Sequence, residues 1–286
     1  MKILNQDIID IPPNTEHIIG DKLSKKNKLI RIVTQLLHHS HHRESLKHLM
    51  TMLNLTESDV IQAYLNYNLA IEEVSNTIFT DLTNRFVLHL HNLNEESWHH
   101  EKQTTILKGI ETISPKSIIE VGFGVPTSYI NKYILKHPQT HLTLCDFDQI
   151  AFDFSKALLS VWDKNWEKNI HFKNENMNDM NFLGDYDVYL FPDCIDHTLH
   201  PTEYLKKQVL CAKAHSKFIL ILAIGPHIPM HYCCWETLEA ALQWLNVCGL
   251  KIDDQKVIST NPEIDLFAQE IPFKFGYFCC SKQSGA

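Results

Sequence analysis

The spacing of apolar residues changes partway along the chain, close to residue 112. From about residue 21 to residue 112, apolar side chains recur every three or four positions, which predicts a mostly helical segment. From Ser117 onward, short apolar runs alternate with helix-length segments, which predicts a parallel sheet with right-handed crossovers. We therefore divide the chain into an N-terminal arm and helical domain over residues 1–112 and an α/β domain over residues 113–286.

The sequence of the N-terminal domain predicts an extended arm, a junction between two helices and the start of a further helix. Two prolines at positions 12–13 prevent a helix and predict an extended arm over about residues 1–20. The sequence HHSHH at positions 38–42 interrupts a helical pattern. Neighbouring histidines on one short turn rarely converge on a single ion, so we interpret this run as a polar helix junction. Thr56 and Asp59 have the spacing of a capping box, which predicts a helix start.

The end of the helical domain carries several histidines, and the role of the domain has three interpretations. His89, His91, His99 and His100 lie close in sequence to the first strand, and we interpret them as part of a solvated helix face. A helical layer in this position covers a bound ligand, forms one wall of a substrate pocket, or packs against a second copy of the chain in a homodimer.

The second domain contains apolar runs with the length of strands, separated mostly by segments with the length of helices. The predicted strands are 117–122, 141–146, 170–173, 186–191, 217–223, 252–258 and 273–280. The predicted helices between them are 127–136, 149–162, 202–213 and 234–247. This alternation is typical of an open α/β sheet of the Rossmann-like kind.

The first strand of this sheet ends in a Gly-x-Gly turn formed by Gly122 and Gly124. Glycines allow the backbone to approach a ligand closely, although the same turn also serves any tight strand-to-helix junction. Two carboxylates strengthen the ligand interpretation here. Glu120 stands two positions before the first glycine, and Asp146 ends the second strand. Carboxylates at these two strand ends can hold an amino group and a ribose diol.

Four stretches in this order resemble the motifs of class I S-adenosylmethionine-dependent methyltransferases. They are IEVGFG from Ile119, LCDFD from Leu144, FKNENMNDM from Phe172 and YDVYLFPD from Tyr186. The resemblance covers roughly residues 100–282. It implies an α/β fold with a seven-stranded Rossmann-like methyltransferase sheet, an antiparallel hairpin at one edge of that sheet, and S-adenosylmethionine as cofactor. It does not identify the acceptor.

The resemblance also implies a set of cofactor-binding residues, which are Glu120, Gly122, Gly124, Asp146, Phe147, Asn176 and Met177. Glu120 and the two glycines would surround the methionine portion of the cofactor. Asp146 would accept hydrogen bonds from both ribose hydroxyls, and Phe147 would pack on the adenine. Asn176 would reach the adenine amine, with Asp179 as the competing choice. Alternatively, Asp146 and Asn176 only cap turns.

Candidate acceptor-side residues follow the fourth strand. Asp193 and His197 are spaced so that one helical turn would bring them together, and a carboxylate can orient a histidine as a general base. A pair with this spacing also occurs at the start of a helix without any catalytic role. Asp193 and His197 are therefore candidate catalytic residues, and the alternative is that they only form the start of a helix.

The loop after the fifth strand supplies the third candidate catalytic residue, His227, because it lies at the same edge of the sheet. His227 and His231 could join His197 around a metal ion, but three histidines from two loops are weak evidence for a metal site. The sequence favours acceptor binding by His227 and Tyr232, and we expect no metal.

Composition restricts the protein's class. The 286 residues include 26 Lys and Arg against 34 Asp and Glu, a formal charge of −8, and the basic residues are scattered, which argues against nucleic acid as a partner. No apolar run approaches the ~20 residues of a membrane span, and the amino terminus lacks the layout of a signal peptide. The eight cysteines form no Cys-x-x-Cys motif, which fits reduced thiols in the cytoplasm.

The predicted function is methyl transfer from S-adenosylmethionine to a small-molecule acceptor. One alternative uses the same cofactor differently: the stretch GFGVPTS from Gly122 and the stretch DFD from Asp146 are similar to nicotianamine synthases. Those enzymes transfer the aminobutanoate arm of the cofactor to an amine and release methylthioadenosine. A second alternative is a methyltransferase fold kept as a binding subunit without catalysis.

Overall fold

The computed structural model describes residues 15–69, 81–226, 231–260 and 274–283, with side chains from Ser24 onward. The helices are α1 (Thr15–His39), α2 (Arg43–Met52), α3 (Glu57–Leu69), α4 (Leu82–Leu93), α5 (Trp98–Ile113), α6 (Ser128–Lys136), α7 (Gln149–Trp162), α8 (Pro201–Cys211) and α9 (Leu238–Val247). The strands are β1 (Ser117–Val121), β2 (His141–Asp146), β3 (Ile170–Asn174), β4 (Val188–Pro192), β5 (Lys217–Ile224), β6 (Leu250–Ser259) and β7 (Lys274–Lys282).

The strands form one seven-stranded sheet in the order β3-β2-β1-β4-β5-β7-β6. Strands β1 to β5 pair in parallel, and β7 runs antiparallel to both of its neighbours. The predicted Rossmann-like sheet with an antiparallel hairpin at one edge is therefore confirmed. The strand order reverses direction between β1 and β4, and open α/β sheets bind ligands in the crevice at the carboxyl ends of such strands.

Both faces of the central strands are buried. Ile118 and Leu190 face the core that also contains the side chains of the N-terminal helices, whereas Ile119 and Phe191 face the opposite core beneath α8 and α9. Each such side chain stabilises the fold by about 1.5–3 kcal/mol on burial. Because α1 to α5 share their core with one face of the sheet, the N-terminal helices lie directly against the strands that carry the candidate site.

The N-terminal region matches the sequence prediction in part. Helix α1 already begins at Thr15, so the predicted extended arm is wrong beyond that point, and the two prolines at positions 12–13 lie outside the described residues. The junction at 38–42 separates α1 from α2, as predicted. The capping box is also confirmed: the backbone N–H of Asp59 donates to Oγ1 of Thr56, and that of Thr56 donates to the Asp59 carboxylate.

The prediction for the histidines at the end of the helical layer is wrong for three of them. His89, His91 and His99 are buried, not part of a solvated face, because α4 and α5 pack inward against the sheet and α7. Burial lowers the pKa values of His89 and His91 to about 3, so both imidazoles are neutral at physiological pH. In the segments that the structure describes, no helix combines the length and the apolar character that crossing a membrane requires.

Candidate active site

The Gly-x-Gly turn after β1 depends on glycine for both its conformation and its space. Gly122 and Gly124 have φ angles of +60° and +53°, in the left-handed region. A Cβ atom on Gly122 would lie 2.6 Å from Cβ of Cys194, and one on Gly124 would lie 2.8 Å from a guanidinium nitrogen of Arg85. The turn is therefore enclosed on one side by the segment after β4 and on the other by helix α4.

Glu120 is a buried carboxylate with one satisfied and one open oxygen. Its Oε1 accepts hydrogen bonds from the backbone N–H (3.1 Å) and the hydroxyl (2.6 Å) of Thr127, the N-cap residue of α6. Its Oε2 is buried and has no hydrogen-bond partner among the described residues. Burial raises the pKa of Glu120 to about 7, although Thr127 and the charge of Lys102 oppose the rise. An unsatisfied buried oxygen is costly, so this position suits a cationic donor.

Asp146 holds the glycine turn to the end of β2. Its Oδ2 accepts a hydrogen bond from the Gly124 N–H (3.0 Å), and its Oδ1 accepts from the N–H groups of Phe147 (2.8 Å) and Asp148 (3.1 Å). A carboxylate offers about four acceptor positions, so three are occupied by backbone donors and one is left. Burial raises the pKa of Asp146, while these hydrogen bonds and Arg85 oppose the rise. Phe147 beside it is 63% exposed, which leaves its ring free to stack.

Arg85 on α4 is a site residue that the sequence analysis missed. Its side chain is 2% exposed and forms a salt bridge with Asp148, the N-cap residue of α7. Burial lowers the pKa of Arg85, although the charges of Asp148 and Asp146 oppose this effect. The sequence does contain a signal for Arg85: it lies among the apolar residues of the helix, next to the fully buried Phe86, where a charge needs a buried partner.

Lys102 on α5, also missed, brings an ammonium group to the crevice between β1 and β4. Its Nζ lies 3.9 Å from Oδ2 of Asp193 and 4.6 Å from the centre of the Trp98 ring. Burial lowers the pKa of Lys102, whereas the charges of Asp193 and Glu120 raise it. Asp193 has a φ angle of +70°, and its Oδ1 is buried without a hydrogen-bond partner among the described residues. Burial also raises the pKa of Asp193.

Met177 begins a short 3-10 turn, Met177–Asp179, after β3, and Asn176 is the N-cap residue of that turn. The Asn176 side chain caps this turn by accepting a hydrogen bond from the Asn178 N–H (2.9 Å). The methyl group of Met177 lies 3.6 Å from the Cβ position of Gly122, at the edge of the glycine turn. Asp179, the competing choice, is exposed. Met177 therefore adjoins the predicted cofactor site directly, whereas Asn176 has a local structural partner.

The segment after β4 arranges its charged residues differently from the predicted helical turn. A 3-10 turn spans Ile195–His197, Asp193 lies next to Lys102, and the charge of His197 lowers the pKa of Asp193 against the effect of burial. The buried carboxylate next to a histidine is Asp196, whose Oδ2 lies 2.9 Å from Nδ1 of His231. Asp196 was missed because its partner lies in the loop after β5, which no local spacing reveals.

His197 lies against this buried pair. Its ring centre is 4.6 Å from that of His231, in an edge-to-face arrangement. Burial alone would raise the pKa of Asp196, but the contact with His231 and the charge of His197 lower it. Tyr232, predicted to bind the acceptor, is 66% exposed, and its N–H donates to the Asp196 carbonyl (2.8 Å). His227, the third predicted catalytic residue, lies outside the described residues.

No protein-family model and no curated protein sequence matches the chain. Solved structures do resemble it. An O-methyltransferase family protein from Burkholderia thailandensis superposes with a TM-score of 0.58 at 10% sequence identity, over 96% of this chain and 100% of that protein.

Two N-methyltransferases with S-adenosylhomocysteine in their structures give similar values. The 1,6-didemethyltoxoflavin-N1-methyltransferase of Burkholderia thailandensis has a TM-score of 0.52 at 13% identity, over 75% of this chain and 91% of its own. NodS from Bradyrhizobium japonicum has a TM-score of 0.51 at 9% identity, over 74% of this chain and 98% of its own. Identities this low establish the architecture alone. The chain has the fold of class I S-adenosylmethionine-dependent methyltransferases.

Proposed function

We propose that the protein transfers a methyl group from S-adenosylmethionine to a small-molecule acceptor. The observation that carries this proposal is a set of complementary charges beside the glycine turn. Glu120 and Asp193 each have a buried oxygen without a hydrogen-bond partner among the described residues, and Lys102 brings a buried ammonium group next to Asp193. The amino-acid tail of the cofactor carries one ammonium and one carboxylate, so these residues offer carboxylate oxygens to the ammonium and a cation to the carboxylate.

The remaining site residues fit the rest of the cofactor. Glu120 and Asp193 would accept hydrogen bonds from the ammonium, and Lys102 would bind the carboxylate. Asp146 keeps one acceptor position for a ribose hydroxyl after its three backbone hydrogen bonds. The exposed ring of Phe147 would pack on the adenine, with Met177 at the glycine turn and Asn176 next to it. Gly122 and Gly124 keep the backbone close to the ligand.

When bound, the cofactor supplies an electrophilic methyl group, and the protein's task is mainly to align the acceptor with it. The acceptor would lie beside the segment after β4, where Asp193 and His197 face the carboxyl edge of the sheet. An acceptor that carries a proton also needs a base. The candidates for that role are His197, which is half-buried and therefore reachable, and His227 on the loop after β5.

Two further observations concern the acceptor class and the location of the protein. The similar solved structures are named as O- and N-methyltransferases, one of them with its small-molecule substrate bound, and this supports methyl transfer with a small acceptor. All eight cysteines are free thiols, which supports a location in the reducing cytoplasm.

The charge match can be tested by calorimetry with two ligands. We predict that Lys102→Met weakens binding of S-adenosylhomocysteine at least tenfold, about 1.4 kcal/mol, because the tail carboxylate loses its cation. Methylthioadenosine, which lacks the amino-acid tail, should bind the variant and the wild type equally. The matched control is Lys108→Met, an exposed lysine on the same helix. Equal losses for both ligands, or no loss for either, would contradict the proposed placement of the tail.

A further inference from the structure

Asp196, His197 and His231 bring three potential metal ligands together at the acceptor side of the site. One atom from each, a carboxylate oxygen and two imidazole nitrogens, lies within 4.8 Å of the other two. The three residues come from two loops, because Asp196 and His197 follow β4 and His231 follows β5. The backbone holds the loops together: the N–H groups of Tyr232 (2.8 Å) and Cys233 (3.4 Å) both donate to the Asp196 carbonyl. The cluster is therefore built into the junction of two loops.

The distances and the burial suit an ion. Two ligand atoms that bind one tetrahedral ion at about 2.1 Å lie about 3.4 Å apart. The distances in the cluster lie on both sides of this value: Nδ1 of His231 is 2.9 Å from Oδ2 of Asp196, and the three ligand atoms lie within 4.8 Å of one another. Asp196 is 1% exposed and His231 is 9% exposed. Oδ1 of Asp196 has no hydrogen-bond partner among the described residues. A buried carboxylate with an unsatisfied oxygen is expensive unless a cation or a donor binds it.

The ligand set selects the kind of ion. Two imidazoles and one carboxylate favour zinc and other divalent transition metals over magnesium and calcium, which prefer oxygen ligands throughout. Three protein ligands leave at least one coordination position open, as in catalytic rather than structural zinc sites. The open position would face the side of His197, because this residue is half-buried while the other two are buried.

We propose that Asp196, His197 and His231 bind a divalent transition metal ion of the zinc type, and that its open position takes an oxygen atom of the acceptor. The second part rests on the proposed methyl transfer, whereas metal binding does not. A hydroxyl group bound to such an ion loses its proton to solvent water more readily than a free hydroxyl group. The acceptor class that follows is a small molecule with a hydroxyl oxygen. In this arrangement His197 acts as a ligand and not as the base.

The test uses the full chain, stripped of metal with a chelator and titrated with Co²⁺ while the visible absorption of the bound ion is recorded. We expect saturation with about one tightly bound ion per chain and displacement of the colour by Zn²⁺. Asp196→Asn and His231→Gln should each weaken binding at least tenfold. Because both residues are buried, His197→Ala serves as a third variant with less risk to folding, and it should also weaken binding at least tenfold.

The histidine-rich junction at 38–42 is the competing site, so the control variant replaces its two exposed members, His39→Ala with His41→Ala. This control should retain the tight site. The proposal is overturned if the wild type binds no Co²⁺, or if binding is lost in the control and kept in Asp196→Asn. Calorimetry with S-adenosylhomocysteine on the same Asp196→Asn protein separates the two proposals. Retained cofactor binding with lost metal binding supports the metal site, whereas absent cofactor binding in the wild type contradicts only the proposed function.

Discussion

At the scale of single residues, the candidate site is a group of buried charges whose balance depends on pH. Glu120 has no solvent exposure, and its pKa rises from 4.5 to about 7 because burial disfavours the carboxylate. Since the folded state binds the proton more tightly than the unfolded chain, Glu120 contributes its full stabilisation below about pH 4.5. That contribution is lost as the pH rises to about 7.

Replacing Glu120 tests this electrostatic account. The pKa difference between the folded and unfolded states corresponds to about 3 kcal/mol. We therefore expect the wild type to lose up to this amount of unfolding free energy, relative to Glu120→Gln, between pH 4.5 and pH 8. Urea unfolding at several pH values measures the difference. Glu111→Gln, an exposed position at the end of α5, should show no such trend. A constant gap between the wild type and Glu120→Gln would show that Glu120 does not titrate as proposed.

At the scale of elements, the turn from β1 to α6 is formed partly by residues of its own sequence motifs and partly by side chains from distant helices. Its left-handed glycines, its cap residue Thr127 and its strand-end carboxylates Glu120 and Asp146 all lie within motifs that a linear sequence displays. For this reason the turn and its carboxylates were predictable. Arg85 and Lys102 were not, because they reach the turn from helices whose spacing reveals only an apolar face.

A glycine substitution tests whether this enclosed turn holds the cofactor. Gly124→Ala adds a Cβ atom 2.8 Å from the Arg85 guanidinium, at a φ of +53° that costs alanine roughly 1 kcal/mol. We expect a loss of stability and a loss of affinity for S-adenosylhomocysteine of at least tenfold. Gly184→Ala, whose φ of +111° is also unfavourable, lies in the loop before β4 and should lose stability alone. Thermal unfolding measures the stability of both variants, and calorimetry measures their affinity for S-adenosylhomocysteine. Equal affinities of Gly124→Ala and Gly184→Ala would show that the turn is not part of the binding site.

At the scale of the whole molecule, the change in hydrophobic period near residue 112 predicted the architecture well. The alternation of strands and helices was enough to predict the parallel sheet, and the resemblance to class I methyltransferases implied its antiparallel edge. The packing of the helical layer was not visible in the sequence, because His89, His91 and His99 have the composition of a solvated face and are buried. Helices α1 to α5 share a core with the sheet, and this contact carries Lys102 and Arg85 to the site.

Methyl transfer is tested most directly by mass spectrometry of the products formed from S-adenosylmethionine that carries a deuterated methyl group. The protein would be incubated with this cofactor and a small-molecule extract of the source cells, with Lys102→Met as the impaired control. We predict S-adenosylhomocysteine as the nucleoside product, together with a small molecule that has gained the labelled methyl group. Methylthioadenosine in its place would contradict methyl transfer and favour transfer of the aminobutanoate arm.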